Sequence, residues 1–462
     1  MRRPDAGVAL LVLAMAAPPA HAAQRLLDPD RLGAAVDSIV QSAMSRGPIA
    51  GVSVAISRGG VPLFASAYGL ADLQTKRPIR DTTLFPLCSI SKHVAAAAVF
   101  TLIEAGRLHL DTRLDSVLTD VPESWRAITV RQLLSHTSGL GSYNDLPLWD
   151  SLCTRPLSHG EVLALVGSPP PAFPPGSRWR YSNTGYYLLG MIVEQLSGRD
   201  YWLYLRDAVV LPHMRSVVGV PLTERALGYR GDKEGLVPAE RESWMNPFAG
   251  GGLAATASDL VGWDDQLRAG GLLHKSNVSL MTTPTKLGFG ESIHYGLGTR
   301  LGSFEGHPVV GHTGNGNGFN HVLAHYPADG ITIAVLTNSE SSVGSRSIEA
   351  AIARRMLGLG PYREIDGAVP PGLATSIAGK WTDGLDQWTL FKSGEHLCFK
   401  LSNGDERALQ YRGGNAFALA PDFEVRFVLP PKPRHGKSEP PAPVRVSETF
   451  RAGMFDEAQF RP

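Results

Sequence analysis

Pro86-Leu87-Cys88-Ser89-Ile90-Ser91-Lys92 is the stretch on which the reading of this chain turns. It sets a hydroxyl and an amine three residues apart, just ahead of an alanine-rich run. On a helix, residues i and i+3 share a face, so the Ser89 oxygen and the Lys92 nitrogen come within hydrogen-bond reach. A serine hydroxyl is a poor nucleophile until a base removes its proton. A lysine that loses its charge through burial is such a base. The run that follows, Val94, Ala95 to Ala98, Val99, Phe100, Leu102 and Ile103, is apolar nearly all round. That predicts a helix in the middle of a core, with the nucleophile fixed on a rigid element. Taken alone, Ser-x-x-Lys also fits a solvated helix start; its meaning comes from what lies on either side.

On the N-terminal side, residues 31–46 carry Leu32, Val36, Ile39 and Met44 at helical spacing. Gly51 to Ile56 reads as a strand, Arg58-Gly59-Gly60 as a turn, and Val61 to Tyr68 as the hairpin partner. On the C-terminal side, residues 107–300 are mainly helical and loop-like, with proline-rich turns at 169–175. Pro308 to Thr313, Phe319 to Tyr326 and Ile331 to Thr337 are spaced for antiparallel pairing, and Ser347 to Leu357 for a closing helix. Turn formers from Gly358 to Gly372 suggest a linker. Beyond it come short strands at 388–391, 397–401, 408–411, 416–419, 425–429 and 444–446, with the hairpin-favouring Asn403-Gly404 between two of them. This texture predicts a small antiparallel β-barrel or sandwich. The proline-rich stretch 430–443 carries Lys432, Arg434, His435 and Lys437. It is either a solvated loop or one that reaches the active site.

The chain has 462 residues, 43% of them hydrophobic and 19% charged, with a net charge of +1. That is enough for a large core and a second domain, and it leaves no electrostatic footprint for nucleic acid. Arg2 and Arg3, the apolar stretch Val8 to Ala17 and Ala20-His21-Ala22 read as a secretory signal cleaved near Ala22. The apolar run is too short to span a bilayer. The expectation is an exported protein, periplasmic or secreted and not membrane-spanning. The division is then a signal peptide at 1–22, a hydrolase domain at 23–360, a linker at 361–372 and the barrel at 373–462. Cys88, Cys153 and Cys398 make no disulfide framework, and Cys88 reads as a small buried hydrophobe. His321 and His325 lie four apart on a predicted strand, and neither a His-Glu-x-x-His pattern nor a glycine-rich phosphate loop with lysine is present. No metal and no cofactor are expected.

Tyr181-Ser182-Asn183 follows Pro174-Pro175-Gly176 and precedes the helix start at Tyr186, which suits a helix N-cap. In a hydrolase, a tyrosine beside the serine–lysine pair passes a proton to the leaving group, and an asparagine amide holds a substrate carbonyl. His312-Thr313-Gly314 ends a strand. An extended substrate lying beside that strand would find room at Gly314. The backbone N–H groups of Asn315 and Ser89 would then form an oxyanion hole.

In this order, Ser-x-x-Lys, Tyr-x-Asn and His-Thr-Gly resemble the penicillin-recognising serine hydrolases. The spacing is similar to the branch with class C β-lactamases, DD-carboxypeptidases, D-aminopeptidases and related esterases. Leu133 to Leu140, Gly251-Gly252-Leu253 through Asp259-Leu260, and Tyr295 to Gly298 are similar too. The resemblance spans roughly residues 32–357. It implies an α+β, β-lactamase/transpeptidase-like fold: an antiparallel sheet flanked by helices, plus a helical region, with the site at their junction. It also implies that Ser89 forms an acyl-enzyme, that Lys92 and Tyr181 handle its proton, that Asn183 binds substrate and that His312 lines the site. Which of Lys92 and Tyr181 is the base stays open.

β-Lactamases usually carry lysine where His312 stands. His-Thr-Gly is more similar to certain DD-carboxypeptidases and D-aminopeptidases, and the D-aminopeptidases also resemble Cys88 to Lys92 and bear β-barrel additions. The resemblance therefore implies a peptidase or amidase acting on small, D-residue-containing or cell-wall-derived peptides. A class C-type β-lactamase, a short-chain esterase and a non-catalytic penicillin-binding sensor are the alternatives. A free substrate amine would favour acidic neighbours, and a carboxylate basic ones such as the 432–437 cluster.

Overall fold

The computed structural model describes residues 29–450 except 168, 211–213, 215–224, 233–234, 240–242, 244–245, 291, 341–343, 360–368, 370, 383–386, 395, 401–405, 414–415, 421–422 and 429–444. The expected signal peptide, most of the linker, Asn403-Gly404 and the 430–443 loop lie outside the described residues. Among those described, no helix is long and apolar enough to cross a membrane.

The elements that build the main body are α1 (Pro29–Arg46), β1 (Gly51–Arg58), β2 (Val61–Asp72), β3 (Arg77–Pro78), α2 (Ser91–Glu104), α3 (Asn183–Ser197), α4 (Ala257–Ala269), β4 (Arg300–Phe304), β5 (His307–Gly316), β6 (Phe319–Tyr326), β7 (Ile331–Thr337) and α5 (Ser345–Met356). The seven strands form one antiparallel sheet in the order β3-β2-β1-β7-β6-β5-β4. The N-terminal hairpin and the C-terminal strands meet at β1 and β7, in register from Val52 opposite Thr337 to Arg58 opposite Ile331. Both strands are buried almost throughout because helices cover both faces of the sheet. On one face, Leu32, Val36 and Val40 of α1 and Ile348 and Ile352 of α5 close a core against Val52, Val54, Val322 and Val335. On the other, α2, α3 and α4 bury Val94 to Phe100, Tyr186 to Val193 and Leu260 to Trp263. The pattern of β-branched and small residues in β1 suits a pleated surface packed from both sides.

The elements read from hydrophobic spacing are present, with shifted ends. β2 continues to Asp72, and β5 continues past His312 to Gly316, so that Asn315 belongs to the strand. The sequence reading missed Tyr229–Asp232 and Gly235–Pro238, which join Ser339–Glu340 in a separate three-stranded sheet. Their short, glycine-bearing segments show little alternation, and the sheet owes its place to contacts with distant chain. After α5, a helix at Pro371–Ile377 begins inside the stretch read as linker. Seven strands from Gly379–Thr382 to Arg445–Phe450 then pair antiparallel in chain order, as an up-and-down meander.

Candidate active site

Ser89 sits in the single turn Cys88–Ile90 that runs directly into α2. The residue before it, Cys88, has φ +49°, a left-handed conformation uncommon for a residue with a side chain. The chain leading into this bend is held in place. Leu87 N–H donates to Leu253 O at 2.7 Å, and Phe85–Pro86 pairs with Ala254–Ala255. Lys92, one turn along α2, is fully buried. Its Nζ lies 3.1 Å from Ser89 Oγ and 2.6 Å from Gly250 O, to which it donates. Burial, and next the positive charge of Arg300, pull its pKa well below that of an ordinary lysine. A neutral amine there donates to Gly250 O and keeps a lone pair for the serine proton.

Ser182 caps α3: its Oγ accepts from Gly185 N–H at 3.2 Å and donates to Gly141 O at 3.1 Å. The cap fixes the residues flanking it. Lys92 Nζ lies 4.9 Å from the centroid of the Tyr181 ring, and the Arg300 guanidinium lies 5.6 Å from it. Asn183 donates from its backbone N–H to Ser142 Oγ at 2.7 Å and from Nδ2 to Asn144 Oδ1 at 2.6 Å, which aims its amide.

Behind these groups a chain of hydrogen bonds allows one assignment of protons. Ser182 N–H donates to His136 Nδ1 at 3.1 Å, so a neutral His136 carries its proton on Nε2 and donates to Tyr295 OH at 3.2 Å. At the far end, His312 Nδ1 lies 2.7 Å from Thr313 O, a pure acceptor, so His312 Nδ1 carries the proton. Its Nε2 then accepts from Tyr295 OH at 3.0 Å. Burial above all, with the charge of Arg300 adding to it, holds both His136 and His312 well below the usual imidazole pKa. Both imidazoles are neutral, and the chain ties the Tyr181 loop to β5.

His312 is therefore placed differently from the reading that put it on the site wall. It is fully buried, with its ring centroid 6.3 Å from that of Tyr181. Gly314 likewise serves the chain itself: a Cβ there would collide with the carbonyl oxygen of Leu87. The room at this glycine is filled by the segment leading to Ser89. His321 fastens the same segment, donating from Nε2 to Pro86 O at 2.8 Å and accepting Thr337 N–H at 3.2 Å.

A cleft of about 680 Å³ opens over Ser89. Of the residues singled out from sequence, Ser89, Asn183 and Asn315 line it; Lys92 and Thr313 are buried behind that surface. Tyr143, Trp149 and Phe319 add aromatic wall, and Gly250 to Gly252 and Arg225 to Gly228 are part of the lining. Tyr143, Asn144, Gly250 and Arg300 were not picked out from sequence. His136 and Tyr295 stood only inside similar stretches with no role attached.

Asp264, Asp265 and His325 have ligand atoms within 4.8 Å of one another, a spacing that could hold a metal ion. Arg268 already donates two N–H bonds to Asp264, at 2.6 and 2.9 Å, and His93 Nε2 lies 3.1 Å from it. Burial alone would push the Asp264 carboxyl up; Arg268 and His93 hold it below the usual carboxylate range. A cation would have to displace Arg268. As it stands, the cluster anchors α2 to α4 through His93, the neighbour of Lys92.

The family model described as Beta-lactamase matches residues 36–355. The chain belongs to the beta-lactamase family. It is a serine hydrolase of the superfamily that holds β-lactamases and penicillin-binding proteins. Penicillin-binding protein 4* of Bacillus subtilis (strain 168) is 28% identical over 332 residues, 67% of this chain and 73% of that protein. Esterase EstB of Burkholderia gladioli is 32% identical over 239 residues, 49% of this chain and 57% of that one. D-aminopeptidase of Brucella canis is 26% identical over 361 residues, 75% of this chain and 66% of that one. Among solved structures, D-amino acid amidase from Ochrobactrum anthropi SV3, complexed with L-phenylalanine amide, aligns with TM-score 0.62 and 25% identity over 71% of this chain and 98% of that one. The octameric penicillin-binding protein homologue from Pyrococcus abyssi aligns with TM-score 0.62 and 23% identity over 92% of this chain and 96% of that one, a likeness of fold alone.

Proposed function

We propose that this chain is an exported peptidase or amidase that works through an acyl-enzyme on Ser89 and acts on small, D-residue-containing or cell-wall-derived peptides, in the manner of a DD-carboxypeptidase or a D-aminopeptidase. In the same reading, the C-terminal meander closes into a barrel that follows the hydrolase domain. The observation that carries the chemistry is the 3.1 Å separation between Ser89 Oγ and a fully buried Lys92 Nζ. Lys92 takes the serine proton as Oγ bonds to the substrate carbonyl carbon. The oxyanion meets the backbone N–H groups of Ser89 and Asn315. Collapse breaks the scissile bond, and the leaving amine takes a proton from the Lys92–Tyr181 pair. Water then enters with Lys92 again as base, and release of the acid restores Ser89. Asn183 holds an amide of the acyl half across the cleft. Neutral His312 leaves no ionised side chain at the position where β-lactamases carry lysine, which supports a peptidase over a β-lactamase.

The test is a panel of D-aminoacyl anilides, N-acyl-D-alanyl-D-alanine peptides, short-chain esters and a chromogenic cephalosporin, run with the mature protein and Ser89→Ala. Ser89-dependent release of D-amino acids or their amides, with slow, stoichiometric acylation by the cephalosporin, is the expected result. Rapid cephalosporin turnover with no D-peptide cleavage would make it a β-lactamase.

A further inference from the structure

Arg180 and Ser182, the residues on either side of Tyr181, both give their backbone N–H to the same residue. Arg180 N–H donates to His136 O at 2.9 Å, and Ser182 N–H donates to His136 Nδ1 at 3.1 Å. The Tyr181 ring between them packs on the His136 ring, with centroids 4.2 Å apart and planes 35° from parallel. Tyr181 therefore meets His136 through its own ring and through the residue on each side of it. The chain beyond follows the same track: Ser182 Oγ donates to Gly141 O, and Asn183 N–H to Ser142 Oγ.

His136 itself is fully buried and left-handed, at φ +59°. Asparagine takes that conformation more readily, and an apolar side chain is cheaper to bury. A neutral imidazole supplies what surrounds it here: an acceptor facing Ser182 N–H and, across the ring, a donor facing Tyr295 OH at 3.2 Å. The Tyr295 hydroxyl donates in turn to His312 Nε2 at 3.0 Å, so the His136 ring cannot turn without breaking bonds at both of its ends. A strained, buried polar residue packed on a reacting group points to a use for the strain.

We infer that His136 is a positioning residue for proton transfer: it holds the Tyr181 hydroxyl where it hands its proton to the leaving nitrogen. The inference rests on the acyl-enzyme reading above and concerns one step of it. As the C–N bond breaks, its electron pair stays on the nitrogen, which takes the Tyr181 proton; the phenolic oxygen recovers the serine proton from Lys92. An amine leaves poorly without that proton, whereas a thiolate leaves without it. Misplacing Tyr181 should therefore slow amide cleavage far more than thioester cleavage.

Two substrates with one acyl half separate these cases: N-acetyl-D-alanyl-D-alanine and the thioester of N-acetyl-D-alanine with thioglycolate. Their free-amine counterparts serve for an enzyme that prefers an unblocked N-terminus. For both, kcat/KM reports acylation. In His136→Ala the amide value should fall by about tenfold or more relative to the thioester value, part of what a general acid contributes. His136→Asn, which tolerates the left-handed bend and can accept Ser182 N–H, should recover part of that ratio. Tyr295→Phe removes the hydroxyl behind the His136 ring and should lower the ratio in the same sense, a second route should His136→Ala fail to fold. An unchanged ratio in folded variants, or a loss that His136→Asn does not lessen, would overturn the inference while leaving a Ser89-dependent hydrolase in place. Absence of Ser89-dependent turnover of all these substrates by the wild type would bring down the acyl-enzyme reading and this inference with it.

Discussion

Lys92 is held between two demands, a bond to Gly250 O that any amine satisfies and the proton-accepting role proposed for it, which only a neutral amine performs. Burial and Arg300 both move it towards the neutral form. Because the base is the deprotonated state, kcat/KM should rise with pH through the depressed pKa of Lys92, on an acid limb far below the range of free lysine. Arg300→Met removes one of the two causes, so that pKa should rise, the acid limb should move to higher pH and activity at neutral pH should fall. Arg300→Lys keeps the charge and should leave the limb near its original place. A limb that does not move in Arg300→Met would show that Arg300 does not tune the base. Ser89, Lys92, Tyr181 and Asn183 were legible in the sequence because each carries a reactive or polar group at a recurring spacing. Arg300 was not, since an arginine twelve residues ahead of His312 carries no local pattern. The burial of His312 was not legible either, because it depends on Tyr295 and His136 arriving from separate segments.

At the scale of elements, the sequence spoke most clearly where one physical cause acted alone. α2 is apolar nearly all round and is buried nearly all round; β1, β6 and β7 lie where their apolar runs placed them. The start of α3 follows from a single capping serine, which also fixes the residues on both sides of it. Where the causes are tertiary, local reading fell short. The cleft lining at Arg225–Gly228 is held by carbonyls of Leu84 and Ala71 and by the side chain of Asn338, all distant in sequence. Gly314 shows the same limit: the need for glycine was legible, and the atom that imposes it, Leu87 O, was not. Cys88 adds a third case, since nothing local announces a left-handed cysteine ahead of the nucleophile. Such strain costs on the order of 1–3 kcal/mol and persists because the strand pair at Phe85–Pro86 and the close approach of Gly314 to Leu87 fix the chain leading into the bend.

Across the molecule, the sheet divides the core in two, and among the described residues each side keeps a buried carboxyl with a different fate. Asp264 stays ionised on Arg268 and His93. Glu349 of α5 faces the Tyr326 hydroxyl at 2.7 Å, and burial pushes it up to about 8. Its folded pKa lies above the ordinary unfolded value, so its contribution to stability is complete below about pH 4.5 and is lost as pH rises through about 8. Glu349→Gln keeps the shape without the ionisation. Denaturant unfolding should find the variant less dependent on pH between 5 and 9, and more stable than the wild type at the alkaline end, with a gap growing by roughly 1.4 kcal/mol per pH unit at most within that window. Equal slopes for the two proteins would mean that Glu349 titrates normally in the fold. The fold places Ser89 at the entry to α2, beside the end of β5, and the account as a whole rests on a covalent bond to that one oxygen. Intact-mass analysis of the protein mixed with an activated acyl donor, followed by peptide mapping, measures it directly. The account predicts a mass gain of one acyl group located on Ser89, absent in Ser89→Ala; an adduct elsewhere, or undiminished labelling of Ser89→Ala, would contradict it.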